Sequence, residues 1–188
     1  MIILTLHSES SSNNEGWVVK VGPVSGDIYM YGYMNVSSSN YIKFVRIDSS
    51  YNVKFTTAYS GYPNIEAWEV DSAESKIYTL LRPSSGFTMG IFDAANGINM
   101  QIYTSSQLSS VSINSALILD SSNTMAILNV KDVSGNLAIC QFTFSNQQMN
   151  WIKVSGAATP EWIGIVSSTN DLFYTAIISS NLIFQRAK

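Results

Sequence analysis

The chain has 188 residues, a length that suits one domain with a single core. Hydrophobic residues make up 46% of it and charged residues only 12%, while 30 Ser and 16 Asn supply neutral polarity, so wholesale disorder is not expected. The net charge is −3 and the ten cations are scattered along the chain, which excludes the basic surface that nucleic-acid binding requires.

The predicted elements are short strands, because Val, Ile, Tyr, Phe, Trp and Thr gather in runs that Ser, Asn and Gly separate. No apolar stripe with the helical period continues for three turns. In chain order, an N-terminal segment at 2–8 precedes strands at 16–19, 27–31, 41–47 and 53–59; then 67–70, 76–80, 87–92 and 98–103; then 116–119, 124–128, 137–144 and 151–154; and finally 162–165, 171–175 and 182–184.

This order is an internal repeat. The second strand of each unit begins at position 27, 76, 124 or 171, at intervals of 49, 48 and 47 residues. Four antiparallel strands per repeat of 40 to 50 residues are typical of a β-propeller blade. The sequence therefore predicts an all-β, single-domain propeller of about four blades, at approximately 16–60, 64–105, 112–156, and 160–188 plus 1–8.

The fourth unit lacks a fourth strand, and the segment at 2–8 resembles the fourth strands of the other units. We expect this N-terminal strand to pair into the last blade and close the ring, which would remove an unpaired edge. Two alternatives stay open. The chain could form half of a larger ring that it shares with a second copy or a partner, or it could adopt another β fold.

Several stretches of the first unit resemble the SBBP-type β-propeller repeat. They are Gly26-Asp27-Ile28-Tyr29, Arg46-Ile47-Asp48 and Tyr51-Asn52-Val53. The likeness fades in the later units, which keep Lys76-Ile77-Tyr78 and Ser134-Gly135-Asn136. This resemblance implies a blade structure and a scaffold or recognition role, and it brings no catalytic or ligand-binding set.

The N-terminus has a short apolar run without a preceding basic region, which is unlike a secretory signal, and no run approaches the length of a transmembrane helix. Cys140 is the single cysteine and cannot form an intrachain disulfide. These features favour an intracellular or protected setting, or a fragment whose targeting segment lies elsewhere, so the localisation stays open between intracellular and secreted.

Few residues are candidates for chemistry. His7 is the single histidine, so no histidine-based metal cluster is expected, and no nucleophile elbow is present. Cys140 lies in an apolar strand and is expected to be buried and inert. Six aspartates at strand ends are expected to cap turns: Asp27, Asp48, Asp71, Asp93, Asp120 and Asp171. The sequence thus predicts no catalytic residue, cofactor or metal, and a protein that is not an enzyme; dispersed acids leave a hydrolase as a distant alternative.

Six aromatic residues form the candidate ligand or interaction surface: Trp17, Trp68, Trp162, Tyr29, Tyr31 and Tyr33. The three tryptophans are expected at equivalent positions of their units, where each could offer one flat ring to a sugar. Packing between blades is the preferred role, because large side chains are needed there. The three tyrosines alternate along one strand face, and they could form a contact surface or pack on the next blade.

The sequence therefore predicts a non-enzymatic propeller scaffold or protein-interaction module, a structural component of a larger assembly. A carbohydrate-binding propeller with one aromatic per blade is the alternative. The expected partners are other proteins of an assembly or a second copy of the chain, with a glycan as a further candidate, and neither nucleic acid nor a membrane span is expected.

Overall fold

Strands and turns make up the part of the chain that the computed structural model describes, which comprises residues 13–36, 39–60, 65–81, 87–105, 116–120, 122–131, 136–157, 159–166, 171–178 and 181–187. No helix occurs in these ranges, so they contain none long and apolar enough to cross a membrane. The all-β prediction is confirmed.

The strands form four separate sheets in which every neighbouring pair is antiparallel and spatial order follows chain order. The first sheet contains β1 (Asn13–Val21), β2 (Ile28–Val36), β3 (Ser39–Ile47) and β4 (Val53–Ser60). The second contains β5 (Ile65–Val70), β6 (Lys76–Leu81), β7 (Phe87–Asp93) and β8 (Asn99–Ser105). The third contains β9 (Ala116–Leu119), β10 (Met125–Lys131), β11 (Asn136–Thr143) and β12 (Gln148–Ala157). The fourth contains β13 (Thr159–Val166), β14 (Asp171–Ile178) and β15 (Asn181–Ala187).

These sheets confirm the predicted repeat of four antiparallel strands in its first three copies. The fourth sheet has three strands within the described residues. The segment at 1–8, which the sequence assigns to the missing position, lies outside the described residues. Closure into a ring therefore stays a prediction.

A repeated irregularity supports the relation between the units. The pairing of the first strand with the second shifts register between Glu15 and Trp17 in the first sheet, between Ile65 and Ala67 in the second, and between Pro160 and Trp162 in the fourth. Each shift inserts one extra residue into the first strand, as a β-bulge does.

Successive sheets stack face to face around shared apolar clusters. We call the face that each sheet turns toward the next one along the chain its forward face, and the opposite one its backward face. Tyr29 and Phe44, on the forward face of the first sheet, share one cluster with Trp68 and Phe92 of the second. The rings of Phe44 and Phe92 lie 4.8 Å apart. The second sheet thus buries its backward face against the first.

The second and third sheets are joined in the same way. Tyr78 and Leu80 of the second sheet pack in one cluster with Ala126, Leu128 and Cys140 of the third. The second sheet is therefore buried on both faces, and the side chains of its central strands are mostly apolar. β13 of the fourth sheet lies beside β9 and β10 of the third, so the stack continues in the same direction.

The backward face of the first sheet is only partly covered. Met30, Val45 and Ile47 form a buried cluster on this face, over the two central strands. Val19 is paired with Met30 and therefore shares the face, but it is 51% exposed. On this face, the apolar side chains of the first strand are thus exposed while those of the central strands are buried.

Candidate functional site

Three of the six candidate aromatics lie in the core between the first and second sheets. Tyr29, Tyr31 and Trp68 are all buried there. The ring of Tyr31 meets that of Trp68 edge to face at 5.4 Å, and its hydroxyl donates to the carbonyl oxygen of Ile65 at 3.0 Å. Burial raises the pKa of Tyr31 to about 12, with Glu66 adding to the effect. These rings pack between the two sheets, which was the role preferred for them, and they expose no face to a ligand.

The other three candidates are placed by their backbone alone. Trp17 lies opposite Gly32, Tyr33 opposite Ile42, and Trp162 opposite Thr175. Their side chains lie outside the described part of the protein, so their role as a contact surface stays a prediction.

The register corrects one step of the sequence argument, which placed the tryptophans at equivalent positions. The turns that begin with Gly22 and Asp71 occupy the same place in their sheets, since each is closed by a hydrogen bond from its first amide to its sixth carbonyl. Trp68 lies three positions before its turn, whereas Trp17 lies five before its own. The residue of the first sheet that matches Trp68 is Val19.

A charged cluster closes the junction between the first two sheets. Arg46 Nε donates to Asp27 Oδ2 at 2.7 Å, and Arg46 Nη1 donates to the carbonyl oxygen of Ala94 at 2.9 Å. The guanidinium also lies 4.9 Å from the centre of the Tyr29 ring and 3.6 Å from Glu74 Oε2. Because Asp27 and Arg46 are both largely buried, this pair satisfies charges that would be costly alone.

Glu74 is the most connected side chain of the cluster. Its Oε1 accepts hydrogen bonds from the amides of Val24 and Ser25 at 2.6 and 2.7 Å, and its Oε2 accepts from Ser25 Oγ at 2.5 Å and from the Tyr29 hydroxyl at 3.2 Å. Burial opposes the charged form, but the hydrogen bonds from Ser25 and Val24 outweigh it and hold the pKa of Glu74 below its usual value. The carboxylate is thus stabilised in its ionised form.

Sequence reasoning missed Arg46 and Glu74, because their partners lie far along the chain. For Asp27 it gave a turn role, and the structure gives an ion pair. The expectation of turn capping is confirmed for four of the other aspartates by hydrogen bonds from nearby amides: Asp48, Asp71, Asp93 and Asp120. Asp171 is the first residue of β14, and its side chain is not among those described.

Cys140 lies in the cluster between the second and third sheets and is fully buried, which confirms its predicted position. Burial raises the pKa of its thiol to about 12. His7 lies outside the described residues. Within the described residues, no three side chains of the His, Cys, Asp and Glu types come together in a way that could hold a metal ion.

Among the side chains that the structure describes, large apolar ones are exposed in two places. One group lies on β1 and the turn that follows it: Val18, Val19, Val21 and Val24. Val19 and Val21, which we call the valine strip, share the backward face of the sheet, whereas Val18 is paired with Tyr31 and lies on the forward face. The other, the outer-strand group, lies at the starts of β4 and β8 and in the turns before them: Tyr51, Val53, Ile98 and Met100. The end of β4 lies against the turn before β8, since Tyr59 donates to the carbonyl oxygen of Gly97 at 2.7 Å.

No protein-family model and no curated protein matches this chain. Its likenesses are to solved structures. A chain in a nidogen/laminin complex matches with a TM-score of 0.55 and 16% identity over 77% of this chain and 53% of that one. An uncharacterized protein from Listeria monocytogenes EGD-e matches with a TM-score of 0.53 and 16% identity over 91% of this chain and 54% of its own.

A third structure is a "putative 6-phosphogluconolactonase" from Bacteroides fragilis NCTC 9343. It matches with a TM-score of 0.50 and 15% identity over 91% of this chain and 53% of that one. At these identities the likenesses show the fold alone. The chain spans about half the length of the structures it matches. Since no family model matches, the resemblance to the SBBP-type repeat stays a prediction.

The prediction that the chain is not an enzyme, which was based on architecture and composition, is wrong. A protein described as a lactonase shares the arrangement of sheets, so this architecture does not exclude catalysis. A likeness at 15% identity, however, assigns no activity to this chain.

Proposed function

We propose that this chain is a propeller-type scaffold that binds other proteins as a structural component of an assembly. The stacked four-stranded sheets, the shared clusters between them and the buried cluster on the backward face of the first sheet support a propeller arrangement. A ring closed within the chain is favoured over one shared with a second copy, because Met30, Val45 and Ile47 are already covered.

The valine strip is the observation that carries the interaction role. Val19 and Val21 match Trp68 and Val70 of the second sheet, since each lies the same distance before its turn. Trp68 and Val70 are 4% and 7% exposed, because the first sheet covers them, whereas Val19 and Val21 are 51% and 66% exposed. The strip is therefore an apolar surface that is exposed to solvent, although the matching surface of the second sheet is buried.

The chemistry of the strip indicates an apolar partner surface. Lys20 lies within the strip in sequence, but its ammonium pairs with Glu69 Oε2 at 2.6 Å, so its charge is compensated. With only 12% charged residues in the whole chain, electrostatic steering contributes little to any encounter. Binding at this surface would be driven by burial of valine side chains.

The test is affinity capture and crosslinking of partners with wild-type protein and two variants. The variant Val19→Thr/Val21→Thr keeps β-branched side chains while making the strip polar. We expect it to lose about tenfold or more in affinity for a stoichiometric partner. Ile98→Thr is the control, because Ile98 is 57% exposed and lies in the turn before β8 of the second sheet, away from the backward face of the first. The proposal fails if the wild type binds no stoichiometric partner, or if the strip variant binds as the wild type does.

A further inference from the structure

Three turns that join a first strand to a second span six residues each. They run from Gly22 to Asp27, from Asp71 to Lys76 and from Asp120 to Met125. In each, the first amide donates to the sixth carbonyl oxygen, at 2.7, 3.1 and 3.1 Å. The second and third turns also share a positive φ at their fourth residue, Glu74 or Asn123, whereas the first turn has it at the fifth, Gly26.

The second and third turns carry their own carboxylate at the first position. Asp71 Oδ1 accepts from the amides of Ser75 and Lys76 at 2.6 and 3.1 Å. Asp120 accepts from the amides of Thr124 and Met125, both at 2.7 Å, and from that of Ser122 at 3.3 Å. These bonds satisfy amides that the turn leaves without backbone partners.

The first turn has Gly22 at this position and so lacks a carboxylate there. Glu74, from the turn of the second sheet, places its carboxylate against this turn instead. It binds the amides of Val24 and Ser25 from a side chain that is only 5% exposed. A Cβ atom on Gly22 would lie 2.5 Å from Glu74 Oε1, so the glycine leaves the space that the carboxylate occupies.

We propose that Glu74 caps the first turn in trans and thereby locks the first sheet onto the second. Asp71 and Asp120 cap the fifth and sixth amides of their own turns, whereas Glu74 binds the third and fourth amides of the first turn. The amides of Val24 and Ser25 are then bound by a carboxylate only when the second sheet is docked. Asn123, at the position of the third turn that matches Glu74, donates from Nδ2 to Ser72 Oγ of the second turn at 3.1 Å. Both residues have a positive φ, of 52° and 54°, so the same local conformation directs each side chain back to the preceding sheet.

The experiment compares unfolding midpoints of four proteins: wild type, Gly22→Ala, Glu74→Ala and the double variant. Gly22 has no positive φ, so alanine is compatible with its backbone and only the contact with Glu74 opposes it. We expect each single variant to lower the thermal midpoint by about 4 °C or more. In the Glu74→Ala background the Gly22→Ala change should then have little further effect, because the collision is gone. Equal losses in both backgrounds would overturn the proposal.

Two further variants keep the result decisive if Gly22→Ala does not fold. Glu74→Asp keeps the charge but shortens the side chain by one methylene, so the carboxylate should no longer reach the amides of Val24 and Ser25 and the variant should unfold close to the midpoint of Glu74→Ala; a midpoint close to that of the wild type would contradict the proposal. Gly26→Ala is the matched control. Gly26 has a φ of 71° and no atom near its missing Cβ, so its substitution should cost the same with or without Glu74.

Discussion

Arg46 binds one carboxylate and one carbonyl oxygen while stacking on Tyr29, so its removal leaves Asp27 buried without its cation. We expect Arg46→Ala to lower the free energy of unfolding by about 3 kcal/mol. Lys54→Ala is the control, because Lys54 is half exposed and lies 4.0 Å from Asp48, and it should cost less than about 0.5 kcal/mol. Urea unfolding at neutral pH measures both, and similar costs would show that Arg46 does not hold the junction.

Tyr51 has a φ of 66°, a conformation that is unfavourable for a bulky residue, and its side chain is exposed. Tyr51→Gly should therefore raise the free energy of unfolding by about 0.5 to 1 kcal/mol. Its neighbour Ser50 is also exposed and has no positive φ, so Ser50→Gly should lower it slightly. A loss of stability in Tyr51→Gly would mean that the tyrosine ring makes a contact worth more than the strain.

Some of the hydrogen bonds made by single polar side chains could be predicted from the sequence. The turn-capping aspartates were predictable, because an aspartate reaches amides two to five residues away. Glu74 was not, because its partners lie 45 to 50 residues earlier, in another sheet. The sequence contains one signal for this contact: Gly22 stands at the position where the two later turns have an aspartate.

At the scale of the element, the first turn should be sensitive to acid. The carboxylate of Glu74, which caps this turn, has a lowered pKa. Its contribution to stability is therefore complete above the usual glutamate pKa of 4.5, and it is lost as the pH falls through the lower pKa of the folded state. Glu74→Gln removes an acceptor but keeps the shape, and at pH 7 we expect a loss of about 1 to 3 kcal/mol. The difference from wild type should shrink toward pH 3 in urea unfolding measured across pH. A difference that does not vary with pH would contradict the ionised cap.

The strands themselves were predictable, because their apolar runs are short and turn residues separate them. Their register was not. A bulge before Trp17 and another before Ala67 insert one residue into each first strand, and a single inserted residue cannot be recognised in an apolar run. The mismatch of the tryptophans has another origin. Trp17 lies five residues before its turn and Trp68 three, so aligning the apolar runs by their tryptophans is two residues out, and Trp68 matches Val19.

At the scale of the whole molecule, stacking accounts for the low charge of the chain. A sheet that is covered on both faces has little surface for charged side chains, and Leu80 and Leu81 of the second sheet are both fully buried although they point to opposite faces. Spacing alone predicted the repeat. The spacing could not predict which apolar side chains of the first sheet are exposed, because their exposure depends on what packs against that sheet.

The central claim is that the sheets stack around shared cores and so unfold together. Trp68 reports on the junction of the first two sheets and Cys140 on that of the second and third. The measurement is equilibrium urea unfolding of a variant with Trp17, Trp151 and Trp162 replaced by Phe, followed by Trp68 fluorescence and by labelling of the Cys140 thiol. The stack predicts one midpoint for both probes, with Cys140 unreactive before the transition. Separate midpoints, or a thiol that reacts in the native protein, would contradict it.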